Sequence, residues 1–284
     1  MRNARDTLGA RMQKKKSETT QIDIVKINFG VLHFNVLGTS ALIINRLAEK
    51  ARHELLLPAL KKNAAGRATS LKHDPIQEFR SSLYRTALDA AAARLYLPGS
   101  GFASAIADVA VDIPGSSRAQ VERLCKVPVQ SIPIFGIPKL YMTVVRTLGM
   151  NKTPDIRTRG LLPEWACQVD VRYVKGLITE RSVTNLFAAA GVIGGMGDGR
   201  GKMGYGQFSL VEAANKDFQR IMKTQGRAPQ DKAIQAAEPR ADDPETEELL
   251  HWFKTEMIER EKNGQDDPVL SRNRNHQEEE VEAE

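Results

Sequence analysis

The chain has 284 residues, 41% of them apolar, and a formal net charge of +6. That length suffices for one sizeable core or two small ones. Its apolar runs, such as Ala41–Ile44 and Phe187–Ile193, are far too short to cross a bilayer.

The charge is unevenly placed. From Gly226 to the end there are 17 Asp/Glu and 8 Lys/Arg, a net of −9, which leaves +15 on residues 1–225. A body of that sign attracts polyanions, because neutralising phosphates releases condensed counterions. An acidic tail of that sign can compete for the basic surface or recruit proteins. The alternative is ordinary solubility charge. Arg2, Arg5, Arg11, Lys14, Lys15 and Lys16 are followed by no apolar stretch, so no secretory leader is expected. Two cysteines, Cys125 and Cys167, lie at no metal-ligand spacing and suit a reducing compartment, so the expected location is cytoplasmic.

In chain order, residues 1–20 read as a disordered basic arm. Ile22–Val36 alternates as a strand, through Ile22, Ile24, Ile27, Phe29 and Val31. Leu42–Leu60 reads as a helix, with Leu42, Leu47, Leu55 and Leu56 near one face. Residues 61–74 form a basic insert, and Pro75–Tyr84 a second helix. At Leu97-Pro98-Gly99-Ser100-Gly101 an extended stretch meets an Ala-rich helix, with Ser100 as the expected N-cap. A helix start there points free N–H groups outward, which suits phosphate. Ser117–Leu124 is a short helix, and the prolines of Val127–Ile137 make it an edge strand or extended loop.

Lys152–Arg159 is basic. If it is extended, Arg157 and Arg159 share a face and could track a phosphodiester backbone; a solvated strand edge is the rival reading. Trp165–Tyr173 alternates cleanly. Thr179 caps a helix over Glu180–Ala190, whose stripe is Val183, Leu186, Phe187 and Ala190. Seven glycines follow within residues 194–206, interleaved with Arg200, Lys202 and Tyr205. Glycine lets a backbone approach a ligand, and Tyr205 offers a ring for base stacking. Phe208–Val211 is a strand and Glu212–Thr224 a helix. Beyond Gly226 an acidic, mostly disordered tail carries one amphipathic helix over 244–262.

The expected fold is therefore α+β: an RRM-like or ferredoxin-like βαββαβ core over residues 21–225, with insertions. The glycine loop matches no nucleoside-triphosphate motif. The histidines (His33, His53, His73, His251, His276) fall at no catalytic or metal spacing. An acid–base pair of His73 and Asp74, or a metal or base role for Asp198, ranks below a surface dipeptide and a turn-forming aspartate. No catalytic residue, metal or cofactor is expected.

Three stretches in order resemble the RAMP superfamily, the RRM-like subunits that line guide RNA in CRISPR effector complexes. They are Val36-Leu37-Gly38-Thr39-Ser40-Ala41-Leu42, Leu97-Pro98-Gly99-Ser100-Gly101-Phe102-Ala103-Ser104-Ala105-Ile106, and Gly194-Gly195 through Gly204-Tyr205-Gly206-Gln207-Phe208. The arrangement is also similar to a set of phage and prophage proteins. The sequence departs from the family pattern where Ala103 and Ser104 follow Phe102, and it lacks a counterpart of the cleaving aspartate of some members. The resemblance implies an RRM-like core gripping single-stranded DNA or RNA by its backbone, as a homo-oligomer and without a membrane partner. The expected contacts are Ser100, Arg157, Arg159, Gly194, Gly195, Arg200, Lys202 and Tyr205. A phage structural or assembly protein, and a RAMP-type ribonuclease, are the alternatives.

Overall fold

The computed structural model describes residues 26–46, 73–146 and 154–265. The basic arm, the insert carrying Lys61, Lys62, Arg67 and Lys72, and the chain end from residue 266 lie outside the described residues.

Strand β1 (Phe29–Gly38) lies inside a sheet with its even-numbered residues inward, so Val36 is buried while Phe29 and Val31 are about half exposed. The alternation expected around Ile27, Phe29 and Val31 is real, but its inward phase is the other one. Partner packing sets that phase: Phe34 meets Phe187 edge-on at 5.0 Å. The helix expected from Leu42 is instead a strand, β2 (Leu42–Ile44), buried throughout. A three-residue apolar run leaves no period by which strand and helix differ; the rest of that expected helix, from residue 47, is outside the described residues.

Helix α1 (Pro75–Ser82) starts at Asp74, whose carboxylate accepts from the Gln77 amide. Strand β3 (Tyr96–Pro98) runs into helix α2 (Gly99–Val109), whose N-cap is Pro98, not Ser100. Helix α3 (Arg118–Leu124), capped by Ser117, leads to β4 (Cys125–Lys126) and β5 (Ser131–Phe135). A long hairpin follows, β6 (Lys139–Arg146) and β7 (Pro154–Leu162), then β8 (Ala166–Val174). Helix α4 (Glu180–Ala189) begins at Thr179, whose hydroxyl accepts from the Ser182 amide. After a π-turn over Ala190–Gly194 and the glycine loop comes β9 (Phe208–Val211), then α5 (Lys216–Thr224), α6 (Arg227–Gln235) and α7 (Pro244–Gln265).

The strands make two antiparallel sheets. The larger has the order β3-β5-β8-β1-β9 with β4 also on β8, and the smaller β2-β7-β6. β5 is thus not an edge strand: β3 pairs outside it, with Tyr96 opposite Pro133. One face of the larger sheet buries Val36, Cys167, Val169 and Val171 against Phe102, Ile106, Leu186 and Phe187 of α2 and α4. Phe208 joins that core edge-on to Phe187 at 5.4 Å and to Trp165 at 6.1 Å, contacts worth about 1 kcal/mol each beyond area burial. The other face is covered at one end, where Phe218 and Ile221 of α5 meet Phe135 and Ala166.

The boundary expected at Gly226 does not separate a body from a tail. Gln230 of α6 is fully buried. Its Oε1 accepts from the amides of Arg94 and Leu95, and its Nε2 donates to the carbonyls of Ile134 and Gly136. Arg80 donates to the carbonyls of Ile234 and Ala236. Beyond α6 the chain runs beside β6: Leu140 and Ala241 form a parallel bridge, and the Met142 amide donates to Thr246. Residues assigned by composition to a detachable tail therefore complete the sheets' hydrogen bonding.

Candidate nucleic-acid interface

The glycine loop folds back along β2. The Asp198 amide donates to the Ile43 carbonyl at 2.9 Å and the Gly206 amide to the Ala41 carbonyl at 2.7 Å. These contacts dictate glycine. At Gly206, with φ +68°, a Cβ would lie 1.8 Å from the Met196 carbonyl oxygen, and at Gly197, with φ +76°, 2.4 Å from that of Ile43. At Gly194, Gly201 and Gly204 a Cβ would meet nothing within 4 Å. The loop is therefore anchored at its base and open at its tip, where Lys202 and Met203 are exposed.

Asp198 is the anchor. Its Oδ1 accepts from the Gly199 amide at 2.9 Å and its Oδ2 from Asn45 Nδ2 at 2.9 Å. Arg159 Nε lies 3.1 Å from Oδ2, off the hydrogen-bond direction, and makes no hydrogen bond. The turn reading of Asp198 accords with these bonds.

Facing the loop is the start of α2. Because Pro98 caps it without a side-chain hydrogen bond, the first-turn amides have no local acceptor. The Gly99 amide donates to the Gln130 carbonyl; those of Ser100 and Gly101 have no acceptor among the described residues. Between the two walls is a cleft of about 460 Å³ bordered by Asn45, Tyr84, Ser100, Ser104, Met196 and Asp198. Arg200 spans its end, with Nη2 3.2 Å from Asp108 Oδ2 of α2.

The eight expected contact residues divide accordingly. Ser100 and Arg200 border the cleft itself. Gly194 and Gly195 form the hinge into the loop, Gly195 at φ +70°. Arg157 and Arg159 do share a face of β7, opposite Thr143 and Tyr141. Arg159 is only 13% exposed and spends its charge on Asp198, whereas Arg157 is 57% exposed, with Asp155 at 3.7 Å. Lys202 is exposed and has no ion-pair partner among the described residues. Tyr205 is half-buried; its hydroxyl is 3.4 Å from that of Tyr141, and its ring edge lies where a Cβ on Gly199 would point. The Tyr141 hydrogen bond is the main reason the Tyr205 phenol is pushed up to about 12. Its ring packs beside Gly199 and Tyr141 and stays partly exposed.

Asn45 and Tyr84 line the cleft, while Tyr141 and Asp108 contact Tyr205 and Arg200; none of the four carried a sequence signal. His73 does not pair with Asp74: it contacts Glu78 at 2.7 Å and Asp155 at 3.0 Å, while Asp74 caps α1. Both thiols are buried and free; burial pushes Cys125 up to about 11 and Cys167 further up. Among the described residues no cluster of His, Cys, Asp or Glu could hold a metal, and no helix is long and apolar enough to cross a membrane.

No family model matches the sequence. No curated protein matches it either. Among solved structures, the fold is similar to a chain in the cryo-EM structure of the Type III-B Cmr-beta complex bound to cognate target RNA, with a TM-score of 0.34 and 11% identity, over 65% of this chain. The match spans 59% of that chain's length.

Proposed function

We propose that this protein binds single-stranded nucleic acid through the glycine loop and the start of α2, gripping the phosphate backbone with little sequence preference and without cleaving it. One observation carries the reading. Two segments far apart in sequence, Gly194–Gly206 and Pro98–Ser104, converge on one cleft, and the convergence supplies the Ser100 and Gly101 amides, which have no acceptor among the described residues, on one wall and the cation Lys202 on the exposed tip of the other. Arg157, two residues along β7 from Arg159, would extend the cationic track.

The order of elements supports an RRM-like, RAMP-type core. With β2, α1, β3, α3, β4 and the β6–β7 hairpin set aside as insertions, β1, α2, β5, β8, α4 and β9 follow the order βαββαβ, and their strands lie in the order β5-β8-β1-β9 with both helices packed in one core. Side-by-side assembly of copies, and a place in phage replication or recombination, belong to this proposal on the sequence resemblance alone. Recruitment of a further protein would fall to α7, where Trp252 is 62% exposed.

The test is fluorescence anisotropy with labelled single- and double-stranded DNA and RNA at about 50 and 200 mM salt. Binding of single strands that weakens steeply with salt supports the reading. Absence of binding to every probe at the lower salt rejects it.

A further inference from the structure

The cleft walls differ in chemistry from the track outside them. Cations are at the rim or beyond it: Arg200 at one end, Lys202 on the projecting turn. The floor is rich in acceptors. Asp198 Oδ1 takes only the Gly199 amide among the described residues and keeps a lone pair, whereas Oδ2 takes Asn45 Nδ2 and lies 3.1 Å from Arg159 Nε. Asn45 Oδ1 has no donor among the described residues, and Asn45 is exposed. Asp198 itself remains 35% exposed, with Arg159 holding its charge in place. The sides are apolar and aromatic, from Tyr84, Leu97 and Met196. A phosphate has only acceptors and would meet a carboxylate there. A flat group with apolar faces and an N–H donor edge suits both sides and floor, and about 460 Å³ is within the usual range for small-ligand sites.

We infer that the cleft between the glycine loop and α2 is a nucleobase pocket that takes one base turned out of the bound strand and prefers a base bearing an exocyclic amino group. This rests on the proposed single-strand binding and adds what backbone contacts cannot supply, a preference at one position. The phosphate of the captured nucleotide lies at the mouth, toward the amides of Ser100 and Gly101. The amino group donates to Asp198 and Asn45; thymine and uracil turn a carbonyl to the same acceptors and leave them unpaired. A site built to receive a hydrogen bond discriminates against the analogue that lacks it.

Cytosine and thymine or uracil make the cleanest comparison, because they are similar in size and differ at the amino-for-carbonyl position. The probes are labelled oligo(dC) and oligo(dT), and oligo(C) and oligo(U), of equal length at one salt concentration. The expected result is cytosine strands bound about tenfold tighter, the equivalent of one good hydrogen bond. Ser104→Leu, an exposed helix position at the cleft, fills the mouth, and Asn45→Ala removes an acceptor together with the Nδ2 donor to Asp198. Either substitution is expected to bring the cytosine strands down to the affinity of the thymine and uracil strands.

Equal affinity for all four probes overturns the pocket and leaves the backbone reading standing. A cytosine preference that survives both substitutions places recognition elsewhere and overturns it too. Failure to bind any probe removes the backbone reading and the pocket with it.

Discussion

Arg159 and Asp198 meet across the seam between β7 and the glycine loop, Nε to Oδ2 at 3.1 Å, with Arg159 mostly covered. Sequence spacing puts Arg159 and Arg157 on one face, but the two charges are not equivalent. The charge of Arg159 is matched before any ligand arrives, whereas Lys202 has no ion-pair partner among the described residues. Lys202→Ala should therefore lower the slope of log affinity against log salt by about 0.7, the loss of one phosphate contact on a single strand. Arg159→Ala should change that slope much less and act on the fold instead. It strands Asp198 beside a desolvated seam, a loss of about 2 kcal/mol once the partial exposure of Asp198 is discounted. Anisotropy titrations across salt, with urea unfolding of each variant, separate the two. Equal slope changes would show that Arg159 is released to the ligand.

The parts of this fold that could be read from sequence are those whose signals are local. Trp165–Tyr173 alternates because β8 is covered on one face, and Thr179 starts α4 because its hydroxyl satisfies an amide three residues on. The glycine loop was visible because its backbone needs positive φ at several positions. What sequence hid is non-local. Leu42–Ile44 is a strand only because β7 lies beside it. Arg200 is paired because Asp108 comes from a different helix. Acidic composition beyond Gly226 suggested a free tail, yet Gln230 makes α6 part of the core, and nothing in the neighbouring residues announces that a single glutamine will be buried.

The loop glycines make a graded set. Gly206→Ala should be the most damaging, because positive φ is compounded by a Cβ 1.8 Å from the Met196 carbonyl oxygen, with backbone on both sides of the clash. A loss of roughly 3 kcal/mol is expected. Gly201→Ala has the φ cost alone, about 1 kcal/mol, since nothing lies within 4 Å. Gly194→Ala has neither and should lie within about 0.5 kcal/mol of the parent. Chemical denaturation orders the three. A Gly206→Ala variant as stable as Gly194→Ala would mean that the loop does not fold back on Met196.

Gln230 offers a test of where the folded unit ends. Its amide oxygen accepts from two N–H groups, and its nitrogen donates to the carbonyls of Ile134, Gly136 and, at 3.3 Å, Gln225. Gln230→Leu keeps the volume and removes every bond, leaving the Arg94 and Leu95 amides without an acceptor in a buried place. About 3 kcal/mol of destabilisation is expected, above the value of one hydrogen bond because buried groups are orphaned. A chain ending at residue 225 should lose cooperative unfolding altogether. If that truncated chain unfolds cooperatively at the parent's midpoint, α6 and the segment beside β6 contribute nothing to the fold.

The Tyr141–Tyr205 contact makes a prediction at high pH. Tyr205 is held at about 12 against an ordinary value of 10.0, first by its hydrogen bond to Tyr141 and then by burial and by the charges of Tyr141, Asp242 and Asp243. Folding thus raises the phenol, so the neutral form is the stabilised one. The contribution is complete below pH 10 and is lost as pH rises through about 12. A near-ultraviolet titration of the folded protein should show a late-ionising tyrosine component to which Tyr173, raised by its bond to Glu180, also contributes. Tyr205→Phe should reduce that component and flatten the alkaline loss of stability. Tyr141→Phe should shift Tyr205 back toward 10 without removing it, because the leading cause is gone while burial remains. The pair also bears on the site, since Asp242 and Asp243 belong to the segment that runs beside β6 and places acidic charge behind the loop. If every tyrosine of the native protein ionises together near 10, the two hydroxyls are not joined, and the loop is not held against β6 by this contact.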